Sequence, residues 1–133
     1  MILDTEFLGN VVEQKPGALV KSREINRMEV PQRIPSAVYW ELFYGLGKIS
    51  DEEKHRRLRA AYEKLMRSRA SLDLDEAVAR RAGTLRASYE LSNRANLDGA
   101  DSIVAAHGLI LDEPVVSNDR DFQSVDGLDV VTY

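Results

Sequence analysis

The sequence predicts an α/β fold in which a mostly parallel sheet is covered by helices on both faces. Short apolar runs alternate with longer segments whose apolar residues recur at helical spacing, and this alternation is typical of βαβ crossovers. A length of 133 residues is that of one ordinary domain, so we expect a single domain over residues 1–133.

The first fifty residues predict two strands and three helices. The expected elements are a strand at 1–3, a helix from Thr5 until Lys15, a helix at 18–29, a strand at 33–35 and a helix from Ser36 to Gly47. Thr5, Ser36 and Ser50 are predicted as N-caps because their hydroxyls can accept a backbone N–H at the start of a helix.

The remainder predicts three further helices and three further strands. The expected elements are a helix from Ser50 to about Ser68, a strand at 71–74, a helix capped by Asp75, a helix from Asp98 or Asp101 to Gly108, a strand at 114–116 and a strand at 128–133. Residues 92–97 are predicted as a loop, and residues 117–121 as a polar turn.

Composition excludes several classes of site. The chain has no cysteine, which removes disulfides, thiolate metal sites and cysteine nucleophiles, and two histidines leave little for a histidine zinc site. No apolar stretch approaches the length of a membrane span, and Met1–Asp4 lacks the basic region of a signal peptide. We therefore expect a cytoplasmic protein that does not enter a membrane.

Charge is divided unevenly along the chain. Residues 54–94 hold eleven Lys and Arg against five Asp and Glu, a net of +6, whereas the rest of the chain carries −10. A basic helical arm is therefore predicted at about residues 51–94. A local cationic patch of this kind can bind a polyanion even when the whole protein is acidic.

Acidic side chains follow the predicted strands. Asp4 comes directly after the first strand, Glu41 lies early in the helix after the second, and Asp119 and Asp121 follow the Val115-Val116 strand, while Asp101 opens a helix. Because ligands of parallel sheets bind at the carboxyl ends of the strands, these acids are expected to converge. Asp98, three residues before Asp101, is close enough to share its face.

A convergence of carboxylates has an electrostatic consequence. Two carboxylates ~4 Å apart repel by about 4 kcal/mol at an effective dielectric of 20, so a cluster needs protons or a cation. An all-oxygen ligand set selects Mg²⁺ or Mn²⁺, which can support phosphodiester cleavage. Each acid also has a purely structural interpretation, since Asp4 and Asp101 suit helix caps and Asp119 and Asp121 suit a turn.

Four segments together resemble the signature blocks of the PIN domain, and most closely those of the VapC-type toxins of prokaryotic toxin–antitoxin pairs. They are Ile2-Leu3-Asp4-Thr5, Ile34-Pro35-Ser36-Ala37-Val38-Tyr39-Trp40-Glu41-Leu42, Asp101-Ser102-Ile103-Val104-Ala105-Ala106 and Val115-Val116-Ser117-Asn118-Asp119-Arg120-Asp121-Phe122. The resemblance covers essentially the whole chain.

The resemblance implies a three-layer α/β/α sandwich and a Mg²⁺- or Mn²⁺-dependent endoribonuclease. It further implies a homodimer inhibited by a small VapB-like antitoxin. By position, Asp4, Glu41, Asp101 and Asp119 are its metal ligands and catalytic residues. Asp121, Asp98 and Glu6 are possible further ligands, and the supporting residues are Thr5, Ser36, Ser117 and Asn118.

One residue departs from the family pattern. Glu6 stands where relatives usually have Asn or Ser, and an extra acid there can add a ligand, shift metal preference or hinder a phosphate. The basic arm falls where relatives have a helical pair that contacts the dimer partner, the antitoxin or RNA.

Other functions remain open at this point. A haloacid-dehalogenase-type phosphatase would use Asp4 as nucleophile, but it needs an Asp at position 6 and a Lys before the last acids, and neither is present. A phospho-receiver domain fits poorly for similar reasons. A non-catalytic domain that binds RNA or a protein also fits the sequence.

Overall fold

A computed structural model describes all of residues 1–133 and contains five strands and seven helices. The strands are β1 (Ile2–Leu3), β2 (Arg33–Pro35), β3 (Ala70–Leu72), β4 (Val115–Val116) and β5 (Val130–Val131). The helices are α1 (Thr5–Val12), α2 (Pro16–Arg27), α3 (Ser36–Gly47), α4 (Glu52–Arg67), α5 (Glu76–Ser92), α6 (Gly99–Leu111) and α7 (Arg120–Gln123).

The five strands form one sheet in the order β3-β2-β1-β4-β5, and every neighbouring pair is parallel. Strand β1 is central, with Ile2 in register with Arg33 on one side and with Val115 on the other. The sheet is flanked by helices, so the predicted α/β/α sandwich with a parallel sheet is confirmed. All carboxyl ends of the strands therefore lie along one edge.

The core forms where the sheet meets the helices. Ile2, Leu3, Val115 and Val116 are fully buried, as expected for parallel strands covered on both faces. Phe7 and Phe122, from the helices that follow β1 and β4, pack in the same cluster. The packed core therefore fixes the positions of the strand ends that precede Asp4 and Ser117.

Three predicted N-caps are wrong by one residue or more. Asp4, not Thr5, caps α1, and Asp51, not Ser50, caps α4, because in each case the aspartate carboxylate accepts the backbone N–H three residues on. Ser36 is not a cap, since its hydroxyl donates to the Leu72 carbonyl of β3 at 2.9 Å. That bond links the ends of two neighbouring strands.

Several boundaries also differ from the prediction. Helix α2 begins earlier, at Pro16, and strands β3 and β5 are shorter than expected. The acidic turn after β4 contains the short helix α7. Helix α6 continues beyond Gly108 to Leu111 and ends at Asp112, which adopts a left-handed conformation (φ 53°).

Gly108 lies inside α6 because the helix passes close to its neighbours. A Cβ at this position would lie 2.4 Å from Leu128 Cδ1 and 3.2 Å from Val115 Cγ2. The glycine therefore reflects the close approach of α6 to β4 and not the end of the helix. His107, beside it, is a packed residue, 3 % exposed.

The residues of the predicted basic arm form α4, β3 and α5. Helix α4 packs against α1 and α3, whereas α5 packs mainly against α6. Their cationic side chains are therefore carried by two helices with different neighbours. None of the helices combines the length and the apolar character that crossing a membrane requires.

Candidate active site

The four acids singled out by the sequence lie around one cavity at the carboxyl edge of the sheet. The cavity has a volume of about 220 Å³ and is lined by Asp4, Thr5, Glu6, Glu41, Asp101, Val104, Asp119 and Phe122. Five of these eight residues carry a carboxylate and none is basic. Asp4, Glu41, Asp101 and Asp119 therefore converge, whereas Asp121, which was expected to join them, lies outside; we call this feature the acidic cavity.

Two of the acids are oriented by the helices that they cap. Asp4 Oδ1 accepts the Phe7 backbone N–H at 2.7 Å, and Asp119 Oδ1 accepts the Asp121 backbone N–H at 2.8 Å. Each cap uses one carboxylate oxygen and turns the whole group to a defined direction. The interpretation of Asp4 as a cap is therefore correct, whereas that of Asp101 is wrong because Asp98 caps α6; Asp119, interpreted structurally as a turn residue, caps α7.

Ser117 connects the strand β4 to this arrangement. The residue is fully buried, and its Oγ accepts the Asp119 backbone N–H at 3.0 Å. The same hydroxyl hydrogen-bonds to the Asp4 carboxylate and opposes the rise of its pKa. Ser117 thus fixes the relative positions of the acids that follow β1 and β4.

Glu41 reaches the cavity from α3 and is held there by a hydrogen bond from the Thr5 hydroxyl. Helix α3 carries Glu41 on the side that faces α1, among apolar residues that pack in the core. The hydrogen bond joins the first residue of α1 to a carboxylate of α3. The Thr5 hydroxyl therefore orients the Glu41 carboxylate at the cavity.

The electrostatics of the cavity favour the protonated forms of Asp4 and Asp101. Burial raises the pKa of Asp4 to about 6, and the nearby carboxylates of Glu6 and Asp119 add to this effect. Burial also raises the pKa of Asp101 to about 7, with further contributions from Asp98 and Glu41. Ionised carboxylates here repel one another across the cavity, which a cation would relieve.

The donor set of the acidic cavity suits a hard divalent cation. Every polar side-chain donor in it is a carboxylate or hydroxyl oxygen, the ligand type preferred by Mg²⁺ and Mn²⁺. No group of three acidic or histidine side chains is already arranged as a complete ligand cluster. Three of the carboxylates are oriented by hydrogen bonds. The Thr5 hydroxyl donates to Glu41, and the backbone N–H groups of Phe7 and Asp121 donate to Asp4 and Asp119.

The other residues predicted for the site have different places. Glu6 is exposed and lines the acidic cavity. Asp98 caps α6 by accepting the Asp101 N–H at 2.8 Å, and it does not line the cavity. Asp121 also lies outside it, where its carboxylate accepts the Asn96 N–H at 3.1 Å.

Ser36 and Asn118, which the resemblance implied to be supporting residues, do not line the acidic cavity. Ser36 joins the ends of β2 and β3 and lines a separate apolar pocket beside Trp40. The Asn118 amide donates to the Tyr133 carbonyl and accepts the Tyr133 N–H, both at 2.8 Å. Asn118 thereby links the segment before Asp119 to Tyr133, which lies two residues after β5.

Two apolar residues of the cavity were missed by sequence reasoning. Val104 and Phe122 form its non-polar wall. Val104 lies three residues after Asp101, so helical spacing places both on one face of α6. That spacing could have indicated Val104 as a cavity residue. Phe122 follows Asp119 by the same interval on α7.

Comparison with known proteins identifies the family of this chain. The sequence profile of the PIN domain matches residues 1–128. The chain belongs to the PIN-domain family. None of the curated proteins matches this PIN domain in sequence.

Solved structures show the same fold. The PIN domain is similar to a chain of VapBC2 from Rickettsia felis bound to a promoter DNA fragment, with 19 % identity, a TM-score of 0.82 and coverage of 98 % of this chain and 96 % of that chain. DNA-bound VapBC from Salmonella typhimurium gives 24 % identity, a TM-score of 0.80 and the same coverages. FitAcB from Neisseria gonorrhoeae gives 22 % identity and a TM-score of 0.74, covering 97 % and 94 %. At these identities the similarities establish the fold.

Proposed function

We propose that this PIN domain is a VapC-type toxin, a Mg²⁺- or Mn²⁺-dependent endoribonuclease that is inhibited by a VapB-like antitoxin. The single observation that carries the proposal is the convergence of Asp4, Glu41, Asp101 and Asp119 on one cavity. The raised pKa values of Asp4 and Asp101 support it, because carboxylates that repel one another are suited to hold a divalent cation.

In the proposed reaction Asp4, Glu41, Asp101 and Asp119 would hold the cation, and a bound cation would activate a water and offset charge on the phosphodiester. Ser117 and the α1 and α7 backbone amides keep Asp4 and Asp119 in fixed orientations. Thr5 does the same for Glu41. Val104 and Phe122 limit access of bulk water from the apolar side of the cavity.

Asp101 is the acid of the cavity whose ionisation is expected to depend most strongly on a bound cation. With its pKa raised to about 7, it exchanges a proton near neutral pH in the metal-free protein. The carboxylate lies at the start of α6, where the helix dipole favours the ionised form. Binding of a cation would favour ionisation further, so metal binding is expected to release protons.

The partners are proposed from the relatives and from the charge distribution. Several similar structures are of VapBC assemblies, which supports a VapB-like antitoxin for this chain, and a homodimeric toxin is proposed from the resemblance to VapC-type toxins. The basic residues of α4 and α5 supply the cations that a polyanionic RNA needs near an acidic centre. A cytoplasmic location follows for an enzyme that acts on cellular RNA.

The test is cleavage of RNA by the purified protein with Mn²⁺ or Mg²⁺. We expect EDTA to stop cleavage, and Asp4→Asn and Asp101→Asn each to reduce it by roughly 10²-fold or more. Asp129→Asn is the matched control, because Asp129 is exposed and lies outside the cavity. It should cleave like the wild type.

The alternatives give different results in the same assay. Cleavage that survives both Asn substitutions would indicate a contaminating nuclease and remove the support for this function. RNA binding without any metal-dependent cleavage would favour a non-catalytic binding domain. Hydrolysis of a small phosphate monoester by the wild type would favour a phosphatase.

A further inference from the structure

A second polar cavity lies beside the acidic one and is not explained by metal binding. It has a volume of about 440 Å³ and is formed by the last part of α5, the loop that follows it and Asp121. Arg86, Asn93 and Asn96 supply its free hydrogen-bond donors. We call it the Arg86 cavity.

The charged groups of this cavity differ in whether they already have a partner. Arg94 is paired in two hydrogen bonds with Asp126, at 2.8 and 2.7 Å, and Asp121 accepts the Asn96 N–H. Arg86 is exposed to solvent and forms no ion pair. The Arg86 guanidinium is therefore the cation available to an incoming anion.

The two cavities share the beginnings of the same two helices. Arg86 Nη1 lies 3.6 Å from the position that a Cβ would take on Gly99, the first residue of α6, and Asp101 lies in the same turn. On the other side, Asp119 of the acidic cavity caps α7, and Asp121 of the Arg86 cavity lies in its first turn. The Arg86 cavity therefore adjoins the acidic cavity at the starts of α6 and α7.

We infer that the Arg86 cavity binds a backbone phosphate of the RNA strand, adjacent to the phosphate at the acidic cavity. A planar guanidinium is well matched to a phosphate, and side-chain amides such as those of Asn93 and Asn96 donate to phosphate and ribose oxygens. The acidic cavity has no basic residue of its own, so a cation here offsets its repulsion of the substrate. This inference rests on the proposed ribonuclease function.

Substitution of Glu90 should change phosphate binding in the direction opposite to substitution of Arg86. It lies one turn after Arg86 on α5, lines the Arg86 cavity and forms no ion pair. A carboxylate beside a bound phosphate weakens binding, so Glu90→Gln should strengthen it whereas Arg86→Gln should weaken it. Arg81→Gln is the matched control, because Arg81 is an exposed, unpaired arginine of the same helix outside the cavity.

The experiment measures RNA binding and cleavage with one probe, a fluorescently labelled single-stranded RNA of mixed sequence. Binding is followed by anisotropy in EDTA at several salt concentrations, and cleavage is followed with Mn²⁺. Arg86→Gln should raise Kd and KM about fivefold with kcat unchanged. It should also lower by about one the number of counterions released on binding, as read from the slope of log Kd against log salt concentration.

The remaining variants complete the expected pattern. Glu90→Gln should lower Kd and KM, and Arg81→Gln, which removes a charge of the basic arm outside the Arg86 cavity, should raise them by less than Arg86→Gln does. Equal losses in Arg86→Gln and Arg81→Gln would show a general charge effect and overturn the inference. If Arg86→Gln does not fold, an unchanged affinity of Glu90→Gln overturns it instead.

Failure of this inference is distinguishable from failure of the proposed function. A wild-type protein that neither binds nor cleaves RNA would refute the ribonuclease itself. Wild-type cleavage with an unchanged KM in Arg86→Gln would refute only the phosphate site in the Arg86 cavity.

Discussion

The hydroxyl of Thr5 donates a hydrogen bond to the carboxylate of Glu41, and this bond joins α1 to α3 across the mouth of the acidic cavity. Thr5 follows Asp4 in the chain, so one dipeptide places an acid in the cavity and orients a second acid 36 residues away. A cation that takes Glu41 as a ligand would find the carboxylate already directed by its neighbour.

Removal of the Thr5 hydroxyl should therefore reduce activity more than stability. Thr5→Val keeps the shape of the side chain but leaves Glu41 without its donor, and we expect a roughly 10- to 100-fold loss of RNA cleavage. Thr5→Ser keeps the hydroxyl and should retain most of the activity. Cleavage rates of the two variants check this, and a Ser variant as impaired as the Val variant would show that packing, not hydrogen bonding, matters.

Replacement of Asp4 should stabilise the metal-free protein. The rise of the Asp4 pKa from 3.8 to about 6 corresponds to a penalty of up to roughly 3 kcal/mol on the ionised form in the folded state. Asp4→Asn removes this penalty and still caps α1 through its amide oxygen. We expect a higher Tm than wild type in EDTA at pH 8.

Added Mn²⁺ should reverse the order of Tm between the wild type and Asp4→Asn. A ligand that binds the folded state stabilises it, so the Tm of the wild type should rise with Mn²⁺ and that of Asp4→Asn should rise less. Thermal melts with and without the metal provide the measurement, with Asp129→Asn as control. Equal stabilisation by Mn²⁺ in wild type and Asp4→Asn would count against Asp4 as a ligand.

Asp101 should make the stability of the metal-free protein depend on pH in an identifiable direction. Its folded-state pKa of about 7 lies above the ordinary value of 3.8, so the folded state holds the proton more tightly than the unfolded state. The resulting destabilisation is absent below pH ~4, grows as the pH rises and is complete above about 7. Asp101→Asn should therefore be more stable than wild type at pH 8.

The advantage of Asp101→Asn should shrink as the pH falls toward 5. Urea unfolding of both proteins in EDTA at several pH values gives this difference directly. An advantage that stayed constant or grew on acidification would show that the carboxylate is not held protonated by its surroundings.

Two glycines in helices should respond in opposite directions to alanine. Gly108→Ala places a Cβ against Leu128 and Val115, so we expect destabilisation by about 1–3 kcal/mol. Gly83 in α5 has no atom within 4 Å of an added Cβ, so Gly83→Ala should stabilise by roughly 0.5–1 kcal/mol. Urea unfolding of both variants tests this, and destabilisation by both would contradict the packing argument for Gly108.

Much of the fold was predictable because its signals are local. The apolar runs that form β1, β2 and β4 are short and continuous, as buried parallel strands require, and Asp75 caps α5 as expected. The errors occur where a side chain has two possible partners. Ser36 has the character of an N-cap, yet its hydroxyl bonds to Leu72, which is distant in sequence and adjacent in the sheet.

The acids of the site were identifiable by their positions after the strands, but their roles as caps and their mutual distances were not. Asp119 and Asp121 are two residues apart and chemically identical, and only the direction of α7 places the first in the acidic cavity and the second beside the Arg86 cavity. Likewise, Arg86 and Arg81 have the same local sequence character, and only packing against α6 distinguishes them.

By itself, the sequence determined the order of strands and helices and the chemical character of the site, since hydrophobic periodicity and residue type are properties of the chain. The tertiary structure decided which acids meet, how burial raises the pKa values of Asp4 and Asp101, and where an unpaired guanidinium lies beside them. Those properties depend on distances through space, which the parallel sheet sets by bringing the ends of β1, β2 and β4 to one edge.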